Sequence, residues 1–345
     1  MAQINKPSDY FNTVLYTGDG TSSQPQTGVG FQPDWVWIKI RSTTGGHGLY
    51  DVIRGATERL RSDSNNAEST ATDGLTSFDS DGFTVGNNSS TGTSSETYAS
   101  WNWLADNTSG SSNTDGSITS TVSANTTSGF SIVTYSGNST AGATVGHGLG
   151  ATPGMIIVKG RDAVINWQVY HQAIGNTNYL ELDTTDASTA SSARWNNTTP
   201  TSTVFTLGTG TGVNAGFDYV AYCFAEKKGF SKFGSYTGNG NSDGTFVYTG
   251  FKPAFLIRKR TDSAVAWYLH DNKRDGYNVT QKWLSPNDSD AESTTQVELR
   301  VDFLSNGFKM RDPNGAANAS GGSYIYMAFA ENPLVGTNNI PATAR

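Results

Sequence analysis

Cysteine occurs once, at Cys223, so no intrachain disulfide can staple the fold, and no Cys/His spacing resembles a zinc site. Long hydrophobic runs are missing too. The longest, such as Ala151 to Val158, fall far short of the ~20 residues that span a bilayer. Residues 1–15 lack the basic-then-apolar order of a secretion signal, which predicts a soluble chain that does not leave the cell by the usual route. Aliphatic bulk is scarce: Phe, Leu, Ile and Val make up 64 of 345 residues, against 149 for Gly, Ser, Thr and Asn. A disordered chain would add high net charge and few aromatics, whereas this one carries a net charge of -7 and 39 aromatic residues. Each buried ring removes roughly 150–250 Å² from water, so the composition predicts a turn-rich β protein with a core built largely of aromatics.

Helical periodicity is also lacking. The best candidate, 55–67, offers only Ala56, Leu60 and Ala67 to bury. Apolar runs of four to eight residues, β-branched and aromatic and bounded by Gly, Asn, Asp and Ser, read instead as strands.

Those strands fall into three similar segments at a period near 100 to 120 residues. Each opens on an aromatic and a turn: YTGDG at Tyr16, YSGNST at Tyr135, YTGNG at Tyr236. Pro33, Pro153 and Pro253 follow, each six residues before a lysine: Lys39, Lys159 and Lys259. His47, Trp167 and Trp267 come next, then a polar segment with Ala67, Ala187 or Ala291, and then a strand carrying Phe83, Phe205 or Phe308. YASWNW, YVAYCFAE and YIYMAFAE close the three units. The pattern predicts an all-β protein of three tandem repeated β-sandwich domains, jelly-roll-like, with little helix. The boundaries are 1–105, 128–226 and 227–331, with a polar linker at 106–127 and an extended tail at 332–345. Only 227–232 separates the last two units, so these should pack more rigidly on each other than on the first.

No HExxH, GxSxG or Ser/His/Asp signature accompanies the four histidines, which fall at non-equivalent places. Acidic turns such as DSDG (79–82) and NSDG (241–244) read as hairpin turns before calcium loops. No His, Cys or acid recurs as a fixed set, which argues against catalysis within the units and predicts a protein with no cofactor or metal that is not an enzyme. The recurrent lysines fit a ligand groove or, more simply, the point where a strand leaves the core for water. Trp167, Trp267 and Trp283 with Tyr170, Tyr268 and Tyr277 suit either sugar stacking or core packing. Residues 1–105 and 106–226 each carry a net charge of -5, and residues 227–345 carry +3. Lys252, Arg258, Arg260, Lys273 and Arg274 are therefore read as a surface that docks on an acidic neighbour, since a pI of 5.1 does not suit nucleic acid.

Six stretches taken together carry a resemblance: Asn5–Gly20, Gly30–Lys39, Phe78–Gly86, His147–Lys159, Val220–Gly240 and Tyr324–Arg345. Over nearly its full length the chain resembles a family of tailed-phage virion proteins common in phages of marine bacteria and cyanobacteria, described as structural or tail-fibre proteins. The resemblance implies a virion component assembled in the host cytoplasm and transfers no catalytic residue. The expected function is a tail fibre or appendage subunit that attaches to the host surface. Its partners would be itself, as a homo-oligomer, other virion proteins and a host-surface glycan or protein, without nucleic acid or membrane insertion. The alternatives are a head or tail decoration protein and, third, a polysaccharide-degrading tailspike.

Overall fold

The computed structural model describes residues 3–293, 298–336 and 341–343. Almost every regular element is a strand. Unit 1 holds β1 (Phe11–Thr17), β2 (Gln24–Thr27), β3 (Trp35–Ile40), β4 (His47–Asp51), β5 (Gly55–Leu60), β6 (Ser69–Thr70), β7 (Leu75–Asp79), β8 (Gly82–Val85) and β9 (Thr97–Trp103). Unit 2 and the segment before it hold β10 (Ser111–Asn113), β11 (Ser120–Asn125), β12 (Phe130–Ser136), β13 (Ala143–Gly146), β14 (Met155–Gly160), β15 (Gln168–His171), β16 (Asn178–Glu181), β17 (Thr189–Ala190), β18 (Val204–Leu207) and β19 (Asp218–Phe224). Unit 3 holds β20 (Ser231–Thr237), β21 (Phe246–Tyr248), β22 (Phe251–Arg260), β23 (Tyr268–Asp271), β24 (Val301–Leu304), β25 (Gly307–Met310) and β26 (Ser323–Pro333). Helix is confined to single turns, for example Thr211–Asn214 and Gly315–Asn318.

Each unit is a sandwich of one large and one small antiparallel sheet. The central order of the large sheets is β1-β9-β3-β4, β12-β19-β14-β15 and β20-β26-β22-β23, and the small sheets are β2-β8-β7, β13-β18 and β21-β25-β24. The aromatics that open and close the units explain themselves here: Tyr16 stacks on Tyr98, Tyr135 on Tyr219 and Tyr236 on Tyr324, with centroids 5.0, 5.2 and 4.8 Å apart. Their hydroxyls donate to loop carbonyls at Thr91, Val213 and Ala317, fixing the loops that cross each sandwich.

Separate domains were expected, and the structure replaces them with one fused body. Side chains alternate along a strand, so the two faces of each large sheet can be read directly. Val36 and Ile38 of β3 face the sandwich core of unit 1, and Trp35 and Trp37 face the other way. In β14, Ile156 and Val158 face the unit 2 core while Met155 and Ile157 face away; in β22, Leu256 does the former and Phe255 and Ile257 the latter. All these outward faces meet in a fourth core shared by the three units, to which β9, β19 and β26 add Trp101 and Trp103, Tyr222 and Phe224, and Met327 and Phe329. The reason is elementary: the small sheet covers one face of a large sheet that is apolar on both, and the other face has to be buried against the neighbours.

Two further expectations are corrected. Segment 106–127 is no free linker, because β10 and β11 extend the large sheet of unit 2 past β12. Its serines and threonines fit an edge of the sheet, where one face is wet. Units 2 and 3 are also not a privileged pair, since unit 1 contributes Trp35, Trp37, Trp101 and Trp103 to the shared core. The start of the tail, Asn332 and Pro333, completes β26; residues 337–340 and 344–345 lie outside the described residues.

Candidate functional site

The recurrent residues converge on three joints. Lys39, Lys159 and Lys259 lie on β3, β14 and β22 and have no exposed surface. This overturns the reading of these lysines as exits to water: the strand end is covered by a loop of the neighbouring unit. Each ammonium donates to the carbonyl of its own next residue, Ile40, Gly160 or Arg260, at 2.8–2.9 Å. Each also donates to a neighbour: Lys39 to the Ser289 carbonyl of unit 3, Lys159 to Asn65 of unit 1 and Lys259 to Thr185 of unit 2, at 3.2–3.3 Å. Burial lowers the pKa of all three to about 8, so the ammonium persists at neutral pH, held by carbonyl oxygens.

Around each lysine the same pattern repeats. Trp167 Nε1 donates to the Arg61 carbonyl and Trp267 Nε1 to Glu181, while in unit 1 His47 Nε2 takes that place against Ser285. Backbone bonds run from Glu68 to Arg161, from Ser188 to Thr261 and from Glu292 to Arg41. Two of these are reinforced by ion pairs, Arg161 with Glu68 at 2.7 Å and Arg41 with Glu292 at 2.9 Å. The loop after β5 thus seats on unit 2, the loop after β16 on unit 3, and the loop after β23 on unit 1. The ring closes on itself.

Deeper in, Asp51 accepts from the Tyr222 hydroxyl at 2.7 Å, Asp271 from Trp101 Nε1 at 3.1 Å, and the Tyr326 carbonyl accepts from His171 Nε2 at 3.1 Å. Arg54 pairs with Asp51 and Glu68, and Arg274 with Asp271 and Glu292; both guanidinium groups are completely buried. The sequence reading missed this pair. An Asp-x-x-Arg recurs at aligned places, 51–54 and 271–274, and only unit 2 departs from it, with His171 and Ile174.

The other site residues fall as follows. Pro33 and Pro153 are buried just before β3 and β14, and Pro253 sits at a bulge in β22. Phe83, Phe205 and Phe308 fill the sandwich core of their own units. The docking surface of unit 3 dissolves. Arg258 is fully buried and donates to the Leu299 carbonyl, Arg274 is buried, and Lys252 is nearly so, against Glu331. Arg260 is half-buried beside Asp262, and of the five only Lys273 is exposed. The basic groups cluster in sequence because the interior carboxylates need them. Trp167, Trp267 and Tyr170 are buried, which favours core packing for them; Tyr277 is exposed. Among the described residues no group of three or more His, Cys, Asp or Glu could hold a metal ion, and no helix is long and apolar enough to cross a membrane.

All four histidines are buried, and each accepts a hydrogen bond at Nδ1: from Trp37 Nε1 at His47, from the Leu149 and Ala173 amides at His147 and His171, and from the Arg258 guanidinium at His270. A proton on Nδ1 would face a donor. Burial lowers His47 to about 3 and His147 and His171 to about 4, and lowers His270 as well. Unfolded histidine titrates near 6.5, so the unfolded chain takes up these protons first and stability falls with acid between pH ~6.5 and ~4. Asp34 and Asp183, raised to about 7 by burial, and Asp288 and Asp302, also raised by burial, act in the opposite direction and offset part of the fall. Thermal unfolding recorded across that window should show the melting temperature dropping steadily, and His171→Gln should make the drop shallower. A flat profile would contradict the neutral assignment.

Replacement of Lys159 with methionine keeps the volume and removes the ammonium's bonds to the Asn65, Gly160 and Ala163 carbonyls, of which Asn65 retains the Ile165 amide. The expected loss is about 1–3 kcal/mol in urea unfolding.

Similarity to known proteins adds a family. The model of a domain of unknown function, DUF7483, matches residues 6–333. The chain belongs to that family. No match is found among curated proteins or among solved structures. The DUF7483 match spans all three units, in keeping with a fused body that has no internal boundary at which to divide it.

Proposed function

We propose that this DUF7483 chain is a non-enzymatic structural protein of a phage virion, most simply a tail fibre or appendage module that presents binding loops to a host surface. The observation that carries the proposal is the use made of the recurrent chemistry. Lys39, Lys159, Lys259, His47, Trp167 and Trp267 all hold one unit to the next, so the equivalent positions serve rigidity and the loops remain to vary. A closed ring with a shared aromatic core gives a small protein the stiffness of a trimer without the need for assembly. The module is a compact head, and its reach has to come from what it is attached to.

Quantitative mass spectrometry of purified particles of the virus that encodes the chain tests the proposal. A copy number in small multiples of three or six, with the free protein competing for adsorption to host cells, is the expected result. Hundreds of copies per particle would move the assignment to decoration of the shell, and absence from the particle would refute it.

A further inference from the structure

The three small sheets end on equivalent strands that differ in what lies beyond them. Gln26, Val145 and Val247 pair with Phe83, Phe205 and Phe308, so β2, β13 and β21 correspond, and each is the last strand of its sheet. In β13 and β21 the amides of His147 and Thr249 bond inward to Thr203 and Asn306, so by alternation Thr144, Gly146, Phe246 and Tyr248 aim their backbone groups away from the sheet.

Two of the edges are closed. On β13, the Ile118 amide donates to the Thr144 carbonyl at 2.9 Å, the Thr144 amide to Ser117 Oγ at 2.9 Å, and Ser120 Oγ to the Gly146 carbonyl at 3.0 Å. Ile118 runs parallel to Val145 and buries its side chain in the unit 2 core. On β2, the position equivalent to Phe246 is Pro25, which has no N–H to offer. β21 has neither protection. Among the described residues no strand lies beyond it, and it shows Phe246 and Tyr248 to solvent, 44% and 54% exposed. Beside it lies a recess of about 340 Å³ lined by Lys227, Lys228, Lys232 and Tyr248. Glu226, also in its wall, is engaged by the Phe233 amide and Gln172.

The geometry points to β21 as an acceptor edge for an extended, acidic segment of a partner protein, which adds as a further strand. The partner's backbone pairs with the outward groups of Phe246 and Tyr248 as 117–120 pairs with β13. Its apolar side chains cover the two rings, and its carboxylates meet Lys228 and Lys232. A second copy is the poorer occupant, because two β21 edges brought together would oppose the same lysines. The inference is independent of the virion assignment.

Short random peptides selected on the intact protein test it. Phe246→Pro copies the closure at Pro25 and removes an N–H that makes no bond within the sheet, so the fold is retained. Expected are selected peptides rich in Asp or Glu and β-branched residues, bound about tenfold more weakly by Phe246→Pro and by Lys228→Glu/Lys232→Glu, and slowing exchange of the Tyr248 amide. The charge variant keeps the test decisive if the proline variant does not fold. The proposal is overturned if no peptide is enriched, if peptides bind wild type and variants equally, or if the exchange footprint lies elsewhere. Dimerisation of the wild type that Phe246→Pro abolishes would also overturn it, by making a second copy the occupant.

Discussion

Arg54→Met is expected to destabilise the protein by about 3–5 kcal/mol, the cost of leaving one member of a buried ion pair without its partner. Arg54 has no exposed side-chain surface and binds Asp51, Glu68, the Leu49 carbonyl and the Tyr222 hydroxyl. Glu68 keeps Arg161 when Arg54 is gone. Asp51 keeps only neutral donors: the amides of residues 53 and 54 and Tyr222. The damage therefore concentrates on one carboxylate at the seam between units 1 and 2. A second substitution, Asp51→Asn, removes the stranded charge and should return part of the loss, which a double-mutant cycle in urea measures directly. Unit 2 shows that charge is dispensable in this position, since His171 and Ile174 stand where the other units have Asp and Arg. A loss under about 1 kcal/mol for the single variant would mean that water reaches Asp51 and that the seam is looser than drawn.

Trp35→Ala should cost about as much, roughly 3–5 kcal/mol, through lost contact and the cavity left behind. Trp35 is fully buried and lies against Tyr222 of unit 2 at 4.3 Å and Trp103 at 4.4 Å between ring centroids, with Phe130 at 5.8 Å. Because the contacts with Tyr222 and Phe130 cross to unit 2, the effect should not stay in unit 1. Calorimetry of the wild type is expected to give one unfolding transition, and the variant one transition at a lower temperature. Separate transitions, with only one moved by the substitution, would show that the shared core does not couple the units. The same argument predicts that residues 128–226 alone will not form a soluble monomer, since Phe130, Trp167, Tyr222 and Phe224 would then face water.

Much of the local design was legible in the chain. Strand chemistry, the scarcity of helix and the three-fold recurrence of Tyr, Pro, Lys and Phe follow from alternation and spacing, which are properties of neighbouring residues. The two apolar faces of YVAYCFAE were legible as well: Tyr219, Ala221 and Cys223 face one core, and Val220, Tyr222 and Phe224 another. What covers the second face was not, because contacts between residues more than 100 positions apart leave no mark in a local pattern. The lysines were misread for the same reason. A lysine ending a strand next to Gly or Arg looks solvated until the carbonyl of Asn65, Thr185 or Ser289 is brought over it.

The sequence by itself determined the elements and the inward face of each sandwich, since burial of an alternating strand against its own hairpin neighbours is decided within about a hundred residues. Tertiary structure alone decided that three sandwiches close into a ring, that Lys39, Lys159 and Lys259 lie inside it, and that the β21 edge stays open while Ile118 and Pro25 close the other two. The reason lies in the balance of forces. Apolar burial sets which residues must leave water, but only the closed ring supplies a neighbour's carbonyl for each of the three buried lysines.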